Sequence, residues 1–144
     1  MSELPKRTVL LVDDSKFVRA TFKRILEANF AVREEADGEA GWTATENDKS
    51  IVMVFTDLSM PKLDGFGLLS RIRGSGDARI KQLPVVIISG DENESSKKRA
   101  RDSGANDFIG KTADAPEVLA RIDNLLRLVE AKVEVAVSRE AVNT

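Results

Sequence analysis

The sequence predicts a doubly wound α/β domain, and three observations predict it. Five strand-like segments alternate with five helical ones along the chain. The strongest strands, 8–12, 51–56 and 84–89, are continuous apolar runs, as parallel strands covered on both faces require. At or just past the ends of the first, third, fourth and fifth strands stand Asp13-Asp14, Asp57, Ser89 and Lys111, at the sheet edge where such folds bind ligands.

The elements follow in order. Thr8-Val-Leu-Leu-Val12 stops at Asp13-Asp14 and reads as a buried strand. Over 15–28, Phe17, Val18, Phe22, Ile25 and Leu26 recur at helical spacing. A more polar strand over 31–36 closes at Asp37-Gly38, and a short helix over 39–47 carries Trp42, read as packing. The second strong strand ends at Asp57, and Pro61 marks the loop 59–64. Gly65 opens a helix through Leu68, Leu69 and Ile72. The third strong strand ends at Ser89, before Gly90-Asp91. A charged helix over 92–103 is ended by Gly104, and its Lys97, Lys98, Arg99 and Arg101 read as a solvated face. A brief strand over 107–109 precedes Lys111, and Pro116 suits the first turn of a final helix. Ile122, Leu125, Leu126 and Val129 continue that helix's apolar face. Val133 and Val137 extend it, although Val133, Val135 and Val137 also fit strand alternation. The helical reading is preferred, as a protruding coiled-coil linker or dimer contact.

Composition narrows the chemistry. With 144 residues, the chain suffices for one compact domain. A net charge of -2 gives no basic excess for direct nucleic-acid binding. No apolar run is long enough to span a bilayer or form a signal-peptide core, so a cytoplasmic location is expected. Cysteine and histidine are both absent, which excludes disulfides, thiolate nucleophiles, Ser-His-Asp triads and imidazole metal ligands. Carboxylates, lysines and hydroxyls remain, and hard oxygen ligands suit Mg²⁺ or Ca²⁺.

Asp13 and Asp14, Asp57, Ser89 and Lys111 all follow strands, so the fold gathers them at one edge. Taken singly, each has a plainer reading as a helix cap, loop carboxylate or surface residue. Taken together they make a site. Crowded carboxylates repel and call for a cation, which Mg²⁺ supplies. Asp57 is the natural nucleophile for an acyl phosphate, and Lys111 can neutralise transferring phosphoryl oxygens. Ser89 can donate a hydrogen bond to the product, and Gly90 leaves the site open to a donor.

The segments LLVDDS (10–15), TDLSMPKLDGFGLL (56–69), VVIISG (85–90) and DFIGK (107–111) closely resemble the receiver domain of two-component response regulators. The resemblance implies a flavodoxin-like five-stranded parallel sheet of order 2-1-3-4-5 with five helices, the last extended. It implies a receiver over 1–129 and a helical C-terminal extension or linker over 130–144. Asp57 would accept a phosphoryl group from a histidine kinase or histidine phosphotransfer protein. Asp14 and Asp57 would ligate Mg²⁺ directly, Asp13 directly or through water, with the Ser59 backbone carbonyl as a further ligand. Ser89 and Phe108 match the hydroxyl and aromatic switch positions, relaying the change to the face formed by the last helices and strand. Such a domain assists its own phosphorylation and dephosphorylation but is not a turnover enzyme. Implied partners are the kinase, a second copy through the last helices or extension, and an output domain or downstream protein, with no nucleic acid or membrane.

Two positions depart from the family pattern. Thr112 stands where proline, often cis, commonly follows the lysine, which leaves the isomer of the Lys111–Thr112 bond open. Phe108 stands in place of a tyrosine and lacks its phenol, so the ring can signal by packing alone. Ser59 and Asp91 can flank an attacking water and tune the phosphoryl lifetime. Three other functions fit these residues less well. A phosphatase of the haloacid dehalogenase type would carry a second acid where Ser59 stands. A flavodoxin-like cofactor binder would need a phosphate loop where Asp13-Asp14 stand. A scaffold that is never phosphorylated would have no need of the acidic set.

Overall fold

The computed structural model describes residues 7–143 apart from position 92, with backbone only from residue 130 onward. The chain divides after Ala113 into two compact units. The first is a parallel sheet of β1 (Thr8–Val12), β2 (Ala31–Glu35), β3 (Ile51–Asp57), β4 (Val85–Ser89) and β5 (Asp107–Gly110), in the order β2-β1-β3-β4-β5. This is the expected fold and strand order. Between the strands lie α1 (Lys16–Leu26), α2 (Gly38–Asn47), α3 (Gly65–Arg73), α4 (Ala78–Lys81) and α5 (Glu94–Asp102).

Side-chain oxygens start the helices where the chain turns out of each strand. Ser15 accepts from the Val18 amide, Asp37 from Ala40, Asp64 from Gly67 and Asn93 from Ser96. Each cap satisfies an otherwise orphaned donor and contributes about 1 kcal/mol. The helix α4 was not expected from the sequence, so the described residues hold six helices rather than five. It is one turn long, capped by Asp77 and anchored by the buried Ile80, too short to show a periodicity. The expected start of α5 at position 92 lies outside the described residues.

The strands β1 and β4 are buried throughout, and β3 nearly so. On one face Leu10, Val12, Val54, Val85 and Ile87 pack with Ala44 of α2 and with Leu68, Leu69 and Ile72 of α3. By the two-residue period of a strand, Val9, Leu11, Phe55 and Ile88 point to the opposite face. Register then aligns the strand ends. Val12 pairs with Thr56, Asp57 with Ile88, and Ser89 with Gly110, so the next residues of β1, β3, β4 and β5 emerge side by side.

The second unit is α6 (Ala115–Asn143), a continuous helix that includes Val133 to Val137. The Asp114 carboxylate accepts from the Glu117 amide at 3.0 Å. Ion pairs Glu117–Arg121 and Asp123–Arg127 brace its exposed side at 3.4 and 3.0 Å. No helix among the described residues is long and apolar enough to cross a membrane.

Candidate functional site

The turn after β1 fixes Asp13 from several sides. Its amide donates to Glu35 O at 3.1 Å, and its carbonyl accepts from Arg19 Nη1 at 2.6 Å. One carboxylate oxygen, Oδ1, accepts from the Ser15 amide at 2.8 Å. The other, Oδ2, is buried and accepts no well-aligned hydrogen bond, although Lys111 Nζ pairs with it at 3.1 Å. The end of β3 presents Asp57, only 5% exposed, whose Oδ1 accepts from the Leu58 amide at 2.8 Å. Its Oδ2 lies 3.1 Å from the same Lys111 Nζ. Lys111 is in turn tied to β4, its amide donating to Ser89 O at 2.9 Å.

Gly65 lets the loop after β3 fold back tightly. Its amide donates to Leu58 O at 2.9 Å, and a Cβ there would fall inside contact distance of the Asp57 carbonyl oxygen. The backbone of Asp57 therefore tolerates only glycine at that point.

Charge in the site is unbalanced. Burial pushes the Asp57 pKa up, the neighbouring Asp13 pushes it further, and Lys111 only partly opposes them. For Lys111, burial lowers the pKa, but the bonds to Asp57 and Asp13 together outweigh it and leave it raised. One ammonium thus serves two buried carboxylates. Asp13, Asp14 and Asp57 each offer a carboxylate oxygen, and these oxygens lie within 4.8 Å of one another. An all-oxygen set that includes a residue, Asp13, whose buried Oδ2 accepts no hydrogen bond fits a hard divalent cation.

The remaining residues singled out in the sequence fall around this centre. Ser89 is 5% exposed, and its hydroxyl donates to Asp91 O and accepts from the Asp91 amide, both at 3.1 Å. Ser59 is exposed beside Asp57 and lines the same pocket as Ser89 and Asp91. Phe108, half-buried, packs against the core on β5, away from that pocket's lining. No cis peptide bond occurs among the described residues, so Lys111–Thr112 is trans. Arg99, read from sequence as part of a solvated face, is exposed, and it also lies over the Phe66 ring at 3.8 Å and lines the pocket with Asp57. The signal available was Asn93, Ser96 and Arg99 at three-residue spacing on one helix face, too common a pattern to single out.

Residues 9–123 match the family model described as the response regulator receiver domain. The chain belongs to this family. The receiver is 38% identical over 119 residues to the gliding motility regulatory protein of Myxococcus xanthus, covering 81% of this chain and 15% of that one. It is 32% identical to the response regulator MprA of Mycobacterium tuberculosis, covering 83% of this chain and 50% of MprA. With the two-component response regulator ORR3 of rice the identity is again 32%, over 83% of this chain and 90% of the relative. The chain thus spans half or less of the first two proteins and nearly all of the third. Among solved structures, a CheY-like receiver domain protein of Methanospirillum hungatei aligns with a TM-score of 0.77 at 21% identity, over 88% of this chain and 98% of that one. The CheX–CheY–BeF3–Mg complex of Borrelia burgdorferi aligns with a TM-score of 0.74 at 32% identity, over 83% of this chain and 88% of that one.

Proposed function

We propose that this receiver is a phosphorylation-dependent signalling switch whose acceptor is Asp57. The observation that carries the reading is the meeting of Asp13, Asp14 and Asp57 within 4.8 Å, with Lys111 Nζ 3.1 Å from both buried carboxylates. An Asp57 carboxylate oxygen attacks phosphorus while the bond from phosphorus to the donor breaks, and the donor leaves with the electron pair. A phosphohistidine of a kinase or phosphotransfer protein leaves as imidazole. Lys111 then shifts from pairing two carboxylates to pairing the new phosphoryl oxygens, and the Asp57 carbonyl stays fixed by the Gly65 turn.

Asp13, Asp14, Asp57 and the Ser59 carbonyl would hold Mg²⁺, which when bound neutralises charge on the phosphoryl oxygens. The Borrelia CheY complex, titled with BeF3 and Mg, supports this reading by kinship. Ser89 supplies a hydroxyl to the product, and Phe108 repacks on β5 in response. The domain acts stoichiometrically, with 1–129 as receiver and 130–144 as an extension toward an output domain, a downstream protein or a second copy.

The test is labelling with a small phosphodonor and Mg²⁺, followed by intact mass. The wild-type chain gains one phosphoryl group and Asp57→Asn gains none. Unchanged labelling of Asp57→Asn would refute the assignment, and sustained multiple turnover of phosphate monoesters would replace the switch with a phosphatase.

A further inference from the structure

Arg99 occupies an unexpected place for a surface cation. Its guanidinium lies 3.8 Å from the centre of the Phe66 ring, a contact that fixes a long side chain in one orientation. Among the described residues its side chain makes no ion pair or hydrogen bond. It lines, with Asp57, Ser89 and Lys111, a pocket of about 430 Å³. The pocket has a closed end and an open one. Asp57 is 5% exposed, Phe66 is half-buried, and Arg99 is exposed. Gly90 adds no bulk, since a Cβ there would meet nothing within 4 Å.

The charges around the pocket explain why a second cation matters. Asp57, Asp64 and Asp91 bring negative charge, and Lys111 is committed to Asp13 and Asp57. Asp64 and Asp91 are themselves engaged by the Gly67 and Asn93 amides, so neither reaches out to hold Arg99. Arg99 is left as the cation that an incoming donor meets first.

We infer that Arg99 binds the leaving group of small acyl phosphates, giving this receiver a preference for donors that depart as carboxylates. The inference rests on Asp57 being the acceptor. In-line attack from the closed end sends the leaving group toward the open end, where Arg99 stands. With an acyl phosphate, the phosphorus–oxygen bond breaks and its electron pair leaves on a carboxylate, whose growing charge a guanidinium can bind bidentately. With phosphoramidate the phosphorus–nitrogen bond breaks and neutral ammonia leaves after protonation. A cation at the open end then has no anion to stabilise.

Initial rates of Asp57 phosphorylation by acetyl phosphate and by phosphoramidate test this, in wild type, Arg99→Gln and Arg99→Lys at fixed Mg²⁺ and ionic strength. Arg99→Gln is expected to slow the acetyl phosphate reaction about fivefold and to leave the phosphoramidate reaction within about twofold. Arg99→Lys, which keeps the charge without the fork, falls between. Equal rates in all three proteins, or equal loss with both donors, would overturn the inference while leaving Asp57 as the acceptor. Failure of the wild type to label with either donor would remove the acceptor assignment itself.

Discussion

The two ends of the sheet hold a cation each, in opposite circumstances. At the carboxyl ends of the strands, Lys111 divides itself between Asp13 and Asp57, and one buried oxygen is left without a hydrogen bond. At the amino ends of β4 and β5, Arg73 reaches from the end of α3 and donates four hydrogen bonds. Its Nε donates to Gly104 O, Nη1 to Lys81 O and Leu83 O, and Nη2 to Asn106 Oδ1, at 2.7–3.0 Å. Gly104, at φ 102°, gives the backbone the close approach this needs, since Arg73 atoms fill the space a Cβ would take. Both cations sit in partly buried surroundings, and burial alone would push both pKa values down. The difference lies in the partners. Arg73 meets neutral acceptors in fixed geometry and clamps loops, whereas Lys111 meets excess negative charge and leaves an imbalance that a ligand can relieve.

Breaking each end separately sharpens the contrast. The largest loss is expected from Arg73→Ala, which removes a donor from three carbonyls and leaves Asn106 Oδ1 with only the Val85 amide, and costs about 3 kcal/mol in chemical denaturation. Because this end is structural, phosphorylation by a small donor should proceed at a near wild-type rate in the folded fraction. Next is Gly65→Ala, whose Cβ would press on the Asp57 carbonyl, lowering stability by about 2 kcal/mol and slowing labelling together. Lys111→Met follows. It leaves Asp13 and Asp57 facing each other, so stability at neutral pH falls by about 1 kcal/mol, and Mg²⁺ should restore part of it in a thermal melt. The smallest effect has the opposite sign. Asp57→Asn removes a charge the fold disfavours and should raise Tm by about 3 °C without metal.

The pH dependence carries the same sign. A carboxyl whose folded pKa is raised binds its proton more tightly when folded. Its stabilisation is therefore fully present below the ordinary aspartate value and is lost as pH rises through the folded value. The Tm gain of Asp57→Asn should consequently be greatest at neutral pH and shrink on acidification. A gain independent of pH would mean that burial and Asp13 are not its cause.

Much of the fold could be read from one dimension, and the reasons are local. The runs at 8–12, 51–56 and 84–89 reveal themselves because strands buried on both faces have no polar positions to blur the pattern. The acidic cluster was readable for a topological reason: parallel strands put their following residues on one edge, whatever the distance in sequence. What stayed hidden depends on reach across the fold. The helix α4 is a single turn held by Asp77 and Ile80, with no period to detect. Arg73 and Arg99 look like ordinary charged positions, because their partners come from separate loops and another helix. The trans isomer of Lys111–Thr112 likewise leaves no mark in the order of residues.

The Ser89 hydroxyl has a consequence for how cleanly a signal could be read. At rest it closes a small ring with Asp91, donating to its carbonyl and accepting from its amide. Turning toward a phosphoryl group means surrendering both bonds, a barrier of about 1–2 kcal/mol that must be met before any gain is made. Passing fluctuations of the pocket would seldom meet it, whereas a stable new anion on Asp57 would. In the proposed switch the small ring would act as a filter, suppressing false starts at the cost of a little sensitivity.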